Sequence, residues 1–220
     1  MGRRCRFCYT SMTRTVVDLG RSPLANSFLT ADDLLRAEAF YPLHVFICDN
    51  CHLVQLEEFE SPERIFSHYL YFSSYSHAWL NHCHAYATAI TKRYFLDSSS
   101  LVVEVASNDG YLLQFFRQLG IPVLGVEPAR NVAADAMAKG IPTDVAFFGR
   151  ETARRLVTQG KSADLIVANN VLAHVPDLND FVSGFKILLK PGGTATFEFP
   201  HLLNLIVERQ FDTIYHEHFS

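Results

Sequence analysis

Residues 101–113 read Leu-Val-Val-Glu-Val-Ala-Ser-Asn-Asp-Gly-Tyr-Leu-Leu. An apolar run broken only by Glu104, a polar stretch closing on Gly110, and a return to apolar residues together describe a buried strand that turns through a tight loop into a helix. The same rhythm continues outward. Strands are expected at 101–105, 123–126, near 143–145, at 165–168 and at 194–199, with amphipathic segments between them. Pro191-Gly192-Gly193 is expected to end a helix built on residues 181–190 and to turn the chain into the last strand. Right-handed crossovers then predict an α/β fold with a doubly wound, mostly parallel, Rossmann-like sheet.

Upstream the pattern changes twice. Residues 61–100 are rich in aromatics and histidines, with a helix expected between about Ser76 and Tyr94 and a turn at Asp97-Ser98-Ser99-Ser100. Residues 1–60 carry short apolar stretches, turn signals and two Cys-x-x-Cys pairs, Cys5/Cys8 and Cys48/Cys51. Four thiolates from two tight knuckles satisfy a tetrahedral zinc and leave no open coordination position, so a structural Zn2+ is expected there. The long stretch between Cys8 and Cys48 must then fold back on itself. His44 and His52 flank the second pair and are read as outer or surface groups. Cys83 stands alone and is read as a buried packing residue. The expected organisation is a zinc-binding domain over 1–60, a helical, aromatic-rich connector over 61–100, and a nucleoside-binding domain over 101–220.

Composition narrows the partners. A net charge of −4 and 49% hydrophobic residues describe a foldable chain with no basic excess for a phosphate backbone, so nucleic acid is not expected. No apolar run reaches the roughly 18 residues that span a bilayer, and the N-terminus lacks a signal-peptide core. No membrane partner is expected, and a cytoplasmic protein is. Oligomeric state is not legible.

In a parallel sheet the ligand crevice lies beyond the carboxyl ends of the strands, which places Ala106–Gly110 and Glu127 at a cofactor. A dinucleotide site wants several glycines so that bare N–H groups approach a pyrophosphate. Here Gly110 is alone. Glu104, Ser107, Asn108 and Asp109 instead make an acidic, amide-rich lip suited to the ammonium end of S-adenosylmethionine, and Glu127 ends the next strand where an acid accepts ribose hydroxyls. Residues 165–174 run off the fourth strand and carry Asn169, Asn170 and His174 toward the crevice. Tyr215-His216-Glu217-His218, bracketed by Phe211, Ile214 and Phe219, reads as general acid/base chemistry, because imidazole titrates near neutrality and a carboxylate can orient it. Metal binding through His216 and His218 is open but lacks the spacing of a helical zinc motif.

The two cysteine pairs, YLYFSSYS (69–76), EVASNDGYLL (104–113), GVEPA (125–129), NNVLAHVPDLNDF (169–181), LLKPGGTATFEFP (188–200) and FDTIYHEHFS (211–220) together resemble the sugar C-methyltransferase family, which acts on nucleotide-linked 4-ketosugars. The resemblance implies a class I methyltransferase sheet of strand order 3-2-1-4-5, with its final strands missing from this chain. It implies structural zinc on Cys5, Cys8, Cys48 and Cys51. S-adenosylmethionine would be held by Glu104, Ser107, Asn108, Gly110, Glu127 and Asn169. By the same resemblance His218 is the general base, Tyr215, Glu217 and His174 complete the catalytic group, and Tyr69 and Asn170 line the sugar pocket. Family members are longer than this chain, so a C-terminal truncation is expected. Two other readings stand beside this one. One is a catalytically incomplete cofactor-binding or interaction module, and the other is an NAD-dependent sugar oxidoreductase.

Overall fold

The computed structural model describes residues 3–67 and 69–220. The chain packs as two compact units. One comprises the chain up to Pro62 together with Leu172–Leu178 and Phe199–Ser220, and the other comprises Glu63–Val171 and Asn179–Glu198. These units follow packing, whereas the segments 1–60, 61–100 and 101–220 follow composition. The closing residues thus group with the cysteine module rather than with the sheet that precedes them in sequence.

The first unit is built on a three-stranded antiparallel sheet of β1 (Arg14–Ser22), β2 (Tyr41–Ile47) and β3 (Val54–Leu56), in that order. β2 is buried at Leu43, Val45 and Phe46, and because the adjacent Val45 and Phe46 point to opposite faces the strand is covered on both. Its inward residues feed two small apolar clusters. Phe46 joins Cys5, Met12 and Cys48, while Leu43 and Val45 join Leu56 with Val17 and Ile214 against them. Neither cluster is large, so this unit draws much of its order from the cysteine centre described below.

The second unit opens on the short α1 (Pro62–Phe66), and its first long element is α2 (His77–Tyr94). Ser76 caps α2, its Oγ accepting from the Trp79 N–H at 3.2 Å. The helix starts and ends where the sequence predicts. Its Cys83, Ala87 and Ile90 face an apolar cluster with Val102, Leu112, Leu113 and Phe116. Full burial of such a Leu or Phe stabilises by about 1.5–3 kcal/mol. Cys83 is 1% exposed, and burial pushes its thiol up to about 12, so it is an unreactive packing residue as expected.

The sheet contains β4 (Val102–Val105), β5 (Val123–Val126), β6 (Thr143–Asp144), β7 (Ala163–Asn169) and β8 (Leu189–Glu198). All pairings are parallel and the spatial order is β6-β5-β4-β7-β8, which is 3-2-1-4-5 counted from β4. Crossovers run through α3 (Leu113–Gln118), α4 (Arg130–Ala138), α5 (Arg150–Thr158) and α6 (Leu178–Leu188). α7 (Leu202–Val207) follows β8. One boundary differs from expectation. α6 ends at Leu188, and Pro191-Gly192-Gly193 lies inside β8, where the pairing with β7 shifts register between Ala163 and Leu165. The Pro-Gly-Gly run is therefore a strand irregularity rather than a helix stop, with Gly192 at φ +81° absorbing the bend. Among the described residues no helix is long and apolar enough to cross a membrane.

Candidate active site and metal centre

The metal centre rests on two knuckles of matching geometry. In the first, the Tyr9 N–H donates to the Cys5 carbonyl at 2.9 Å, and in the second the His52 N–H donates to the Cys48 carbonyl at 2.9 Å. Tyr9 and His52, each just after the second cysteine of its pair, take left-handed backbone angles of 62°. Cys5 Sγ stands 3.5 Å from Cys51 Sγ, and Cys8 Sγ 3.5 Å from Cys48 Sγ, so the knuckles interlock crosswise. All four sulfurs lie within 4.8 Å of one another, and no cysteine among the described residues is disulfide-bonded. A tetrahedron with bonds of about 2.3 Å has edges of about 3.8 Å, so the set fits Zn2+. Donors also converge on the sulfurs. The Gln55 amide donates to Cys5 Sγ at 3.2 Å, and hydrogen bonding led by Thr10 draws the Cys8 thiol down to about 5. His44 stacks on Phe46 and meets Thr15 Oγ1 at 2.8 Å, and His52 is exposed, so neither is among the ligands.

The loop after β4 is tightly wound, with Ala106, Asn108 and Gly110 at φ of 58°, 48° and 78°. At Gly110 a Cβ would also meet Ile141 Cγ1 at 2.9 Å, so only glycine fits. Every N–H from 106 to 110 is already used. Ala106 and Ser107 donate to the Val126 carbonyl, Asn108 to Glu127 Oε2 at 2.8 Å, Asp109 to Asn108 Oδ1 at 2.9 Å, and Gly110 to the Ser107 carbonyl. No bare amides remain there for a pyrophosphate, which removes the physical basis of the dinucleotide reading.

What the loop offers instead is oxygen. Ser107 Oγ and Asp109 Oδ1 are buried without hydrogen-bond partners, and the fully buried Glu104 carboxyl has the Tyr111 hydroxyl beside it. Burial first, with Glu127 and Asp109 adding like charge, pushes the Glu104 carboxyl well above its ordinary value, while the adjacent Tyr111 hydroxyl opposes the shift. Glu127 accepts from the Asn108 and Ala129 N–H groups at 2.8 Å each, yet burial still raises it to about 7. Such a set of buried acceptors, two of them unpartnered, fits a cationic ligand bearing hydroxyls, as S-adenosylmethionine does.

Asn108 behaves differently from expectation. Its Oδ1 accepts from the Ser73 N–H at 3.0 Å and its Nδ2 donates to the Tyr71 carbonyl at 3.0 Å, so the side chain braces the aromatic segment onto the loop. Ser74 Oγ bonds Asp109, which also pairs with Lys139 Nζ at 3.0 Å. Asn131 on α4 clamps the Tyr69 backbone on both sides, through Tyr69 N at 3.0 Å and Tyr69 O at 2.6 Å. Sequence reading missed Asn131, because nothing local ties an ordinary helix asparagine to a residue 62 positions away. Asn169 is buried at the end of β7, and Asn170 follows at φ 51° with its N–H on the Glu198 carbonyl at 2.7 Å.

His174 and the closing run lie together in the other unit. The rings of His174 and His218 meet edge-on at 4.8 Å, and Tyr215 lies 4.1 Å from His218. His218 Nδ1 is 2.8 Å from the Thr213 carbonyl. A carbonyl only accepts, so Nδ1 carries the proton and Nε2 is left with its lone pair. Burial holds His218 below the ordinary histidine value against the Thr213 bond. Burial and His218 push His174 down to about 3, although its bond to the Glu217 backbone favours the charged form. Burial, then the Glu217 charge, raises Tyr215 to about 12. The group at rest is therefore two neutral imidazoles and a protonated phenol. Glu217 Oε1 accepts from Asn26 Nδ2 at 2.8 Å, and Asn26 holds φ 57°. Asn26 was not foreseen. Its only local signal is the Pro23-Leu24-Ala25-Asn26 turn composition. His216 is buried against Tyr41 and Phe59 with Nε2 3.1 Å from the Pro42 carbonyl, which suits packing rather than metal binding.

Two family models match the chain. Residues 5–66 match one described as “Putative zinc binding domain”, and residues 78–220 match one described as “Methyltransferase domain”. The chain is 37% identical over 216 residues to the C-methyltransferase NovU of Streptomyces niveus, covering 98% of this chain and 51% of that protein. It is 32% identical over 96 residues to a ubiquinone biosynthesis O-methyltransferase of Methylobacterium sp. (strain 4-46), covering 42% of this chain and 37% of that protein. The chain thus spans about half or less of the length of these relatives. A solved structure from Pyrococcus horikoshii OT3 superposes with TM-score 0.51 at 19% identity, over 69% of this chain and 66% of that one, a likeness of fold alone. With the methyltransferase model matching residues 78–220 and the zinc-binding model matching residues 5–66, the chain belongs to the methyltransferase-domain family and carries an N-terminal zinc-binding domain.

Proposed function

We propose that the protein is a cytosolic S-adenosylmethionine-dependent C-methyltransferase whose substrate is a nucleotide-linked 4-keto deoxysugar. The observation that carries the chemistry is the His218 tautomer, with Nδ1–H spent on Thr213 and Nε2 free to take a proton. A proton on carbon beside a ketone leaves only if the enolate oxygen is stabilised, and Tyr215 beside His218 is a neutral donor of the right kind, while His174, its N–H spent on the Glu217 backbone, packs edge-on against the base. In the proposed reaction His218 Nε2 takes the α-proton, and the C–H electron pair becomes the enolate. S-adenosylmethionine, when bound, supplies an electrophilic methyl, so that a C–C bond forms as the C–S bond breaks. Glu217, held by Asn26, orients the turn that carries the base. Tyr69 and Asn170 contribute to the sugar pocket in this reading. The likeness over nearly the whole chain to a protein named a C-methyltransferase supports carbon as the acceptor.

The test is methyl transfer to a panel of 4-keto nucleotide sugars, with deuterium exchange of the α-proton measured in parallel. Transfer to carbon with exchange at the same position is expected. Cofactor binding with neither transfer nor exchange would instead favour a binding module.

A second expectation concerns Glu127. Its free-state value near 7 reflects burial, and ribose hydroxyls donating to the carboxylate would draw it down. Binding should then release a proton around neutrality, and cofactor affinity should weaken as pH falls below about 7. Calorimetric titration in buffers of different ionisation heat measures this. Identical heats in all buffers would remove Glu127 from the ribose site.

A further inference from the structure

Arg6 sits inside the first knuckle, between Cys5 and Cys8. Nη1 donates to the Pro176 carbonyl at 2.9 Å and Nη2 to the Leu56 carbonyl at 2.6 Å. The guanidinium carbon stands 5.3 Å from the centroid of the Phe219 ring. Pro176 follows His174 by two positions, and Phe219 directly follows His218. Backbone bonds close the circuit, with Leu56 N–H on the Phe219 carbonyl at 3.0 Å and Phe219 N–H on the Ala173 carbonyl at 2.6 Å. Gln55 completes it from the metal side, accepting from the Arg6 N–H at 2.9 Å while its amide donates to Cys5 Sγ.

We propose that Arg6 is a positioning residue that ties the His174 and His218 segments to the zinc knuckle and so holds the two imidazoles in their edge-on arrangement. The proposal rests on the reading of His218 as the base. Its physical reason is the form of the side chain. A planar fork serves two carbonyls at once and presents a face to an aromatic ring, which a lysine ammonium cannot do. The two histidine segments are 44 positions apart in sequence, and beside the Phe219–Ala173 backbone bond Arg6 is a rigid side chain that contacts both. The zinc centre then supplies the fixed base for the clamp, a task beyond holding its own loop.

Arg6→Ala and Arg6→Lys in the zinc-loaded protein test this. Expected for Arg6→Ala are wild-type zinc content, cofactor affinity within about twofold, and a loss of kcat of about 10–100-fold for both α-proton exchange and methyl transfer. Arg6→Lys should fall between. The imidazole NMR signals of His174 and His218 should shift in Arg6→Ala, with a changed His218 titration midpoint. Unchanged kcat with zinc retained overturns the proposal, as does loss of zinc in both variants, which would make Arg6 a support of the metal alone. If the wild type neither exchanges nor methylates any 4-keto nucleotide sugar, the functional reading fails. The imidazole signals then decide the clamp by themselves, and unchanged signals in Arg6→Ala overturn it.

Discussion

Replacing His218 by glutamine is expected to lower methyl transfer by about 10²–10⁴-fold, the usual contribution of a positioned general base, with cofactor affinity unchanged. Glutamine preserves approximate size and can still donate to the Thr213 carbonyl, so the local turn has no reason to unwind. What it lacks is a nitrogen lone pair of imidazole basicity. The pH profile gives the sharper reading. A base works only when neutral, and burial holds His218 below the ordinary histidine value, so wild-type rates should stay level through neutrality and fall only in acid. His174, pushed down to about 3, stays neutral across that fall and does not contribute to it. The acid limb should vanish in His218→Gln together with the rate. A variant that turns over at the wild-type rate would remove His218 from the mechanism.

Stripping zinc should have the largest structural effect. Among the described residues, the unit that contains the cysteines buries small apolar clusters around a three-stranded sheet, modest support for a segment of this size without reinforcement. Structural zinc contributes about 10–16 kcal/mol to small zinc-finger peptides, a scale comparable to the whole stability of a typical domain. Without the ion, four sulfurs within 4.8 Å would face one another with no cation to hold them. Chelation, or Cys48→Ser, should therefore strip hydrogen-exchange protection from β1, β2 and β3, while the amides of β4, β5 and β7 stay protected. Metal analysis should give one zinc per chain before treatment. Full protection of β1–β3 in the chelated protein would show that the cysteines are dispensable for the fold.

Much of the fold was legible because its causes are local. The apolar runs of β4, β5 and β7 are fully buried or nearly so, and each is bounded by turn residues within a few positions. Ser76 announces the start of α2 by a hydrogen bond three residues long. The Pro-Gly-Gly run was misread because its composition suits a helix stop as well as a strand irregularity, and only pairing with β7 separates the two. In the site, residue types were legible and their duties were not. Asn108 looked like a cofactor ligand, yet its side chain is taken up by Tyr71 and Ser73. Neither the turn composition around Asn26 nor anything near Arg6 points to their partners, which lie 191 and 170 positions away.

The parallel α/β sheet, the four-thiolate cluster and the residue types of the Tyr215–His218 run are written locally in the chain. Hydrophobic periodicity, cysteine spacing and side-chain chemistry act within a few residues of where they are written. Long-range packing is what brings Cys5 Sγ to 3.5 Å from Cys51 Sγ, leaves His218 with its lone pair on Nε2, and groups His174 and the closing run with the cysteines. Each of these depends on which distant backbone carbonyl or sulfur arrives at a given atom, and such meetings are settled by packing, which a linear pattern does not encode.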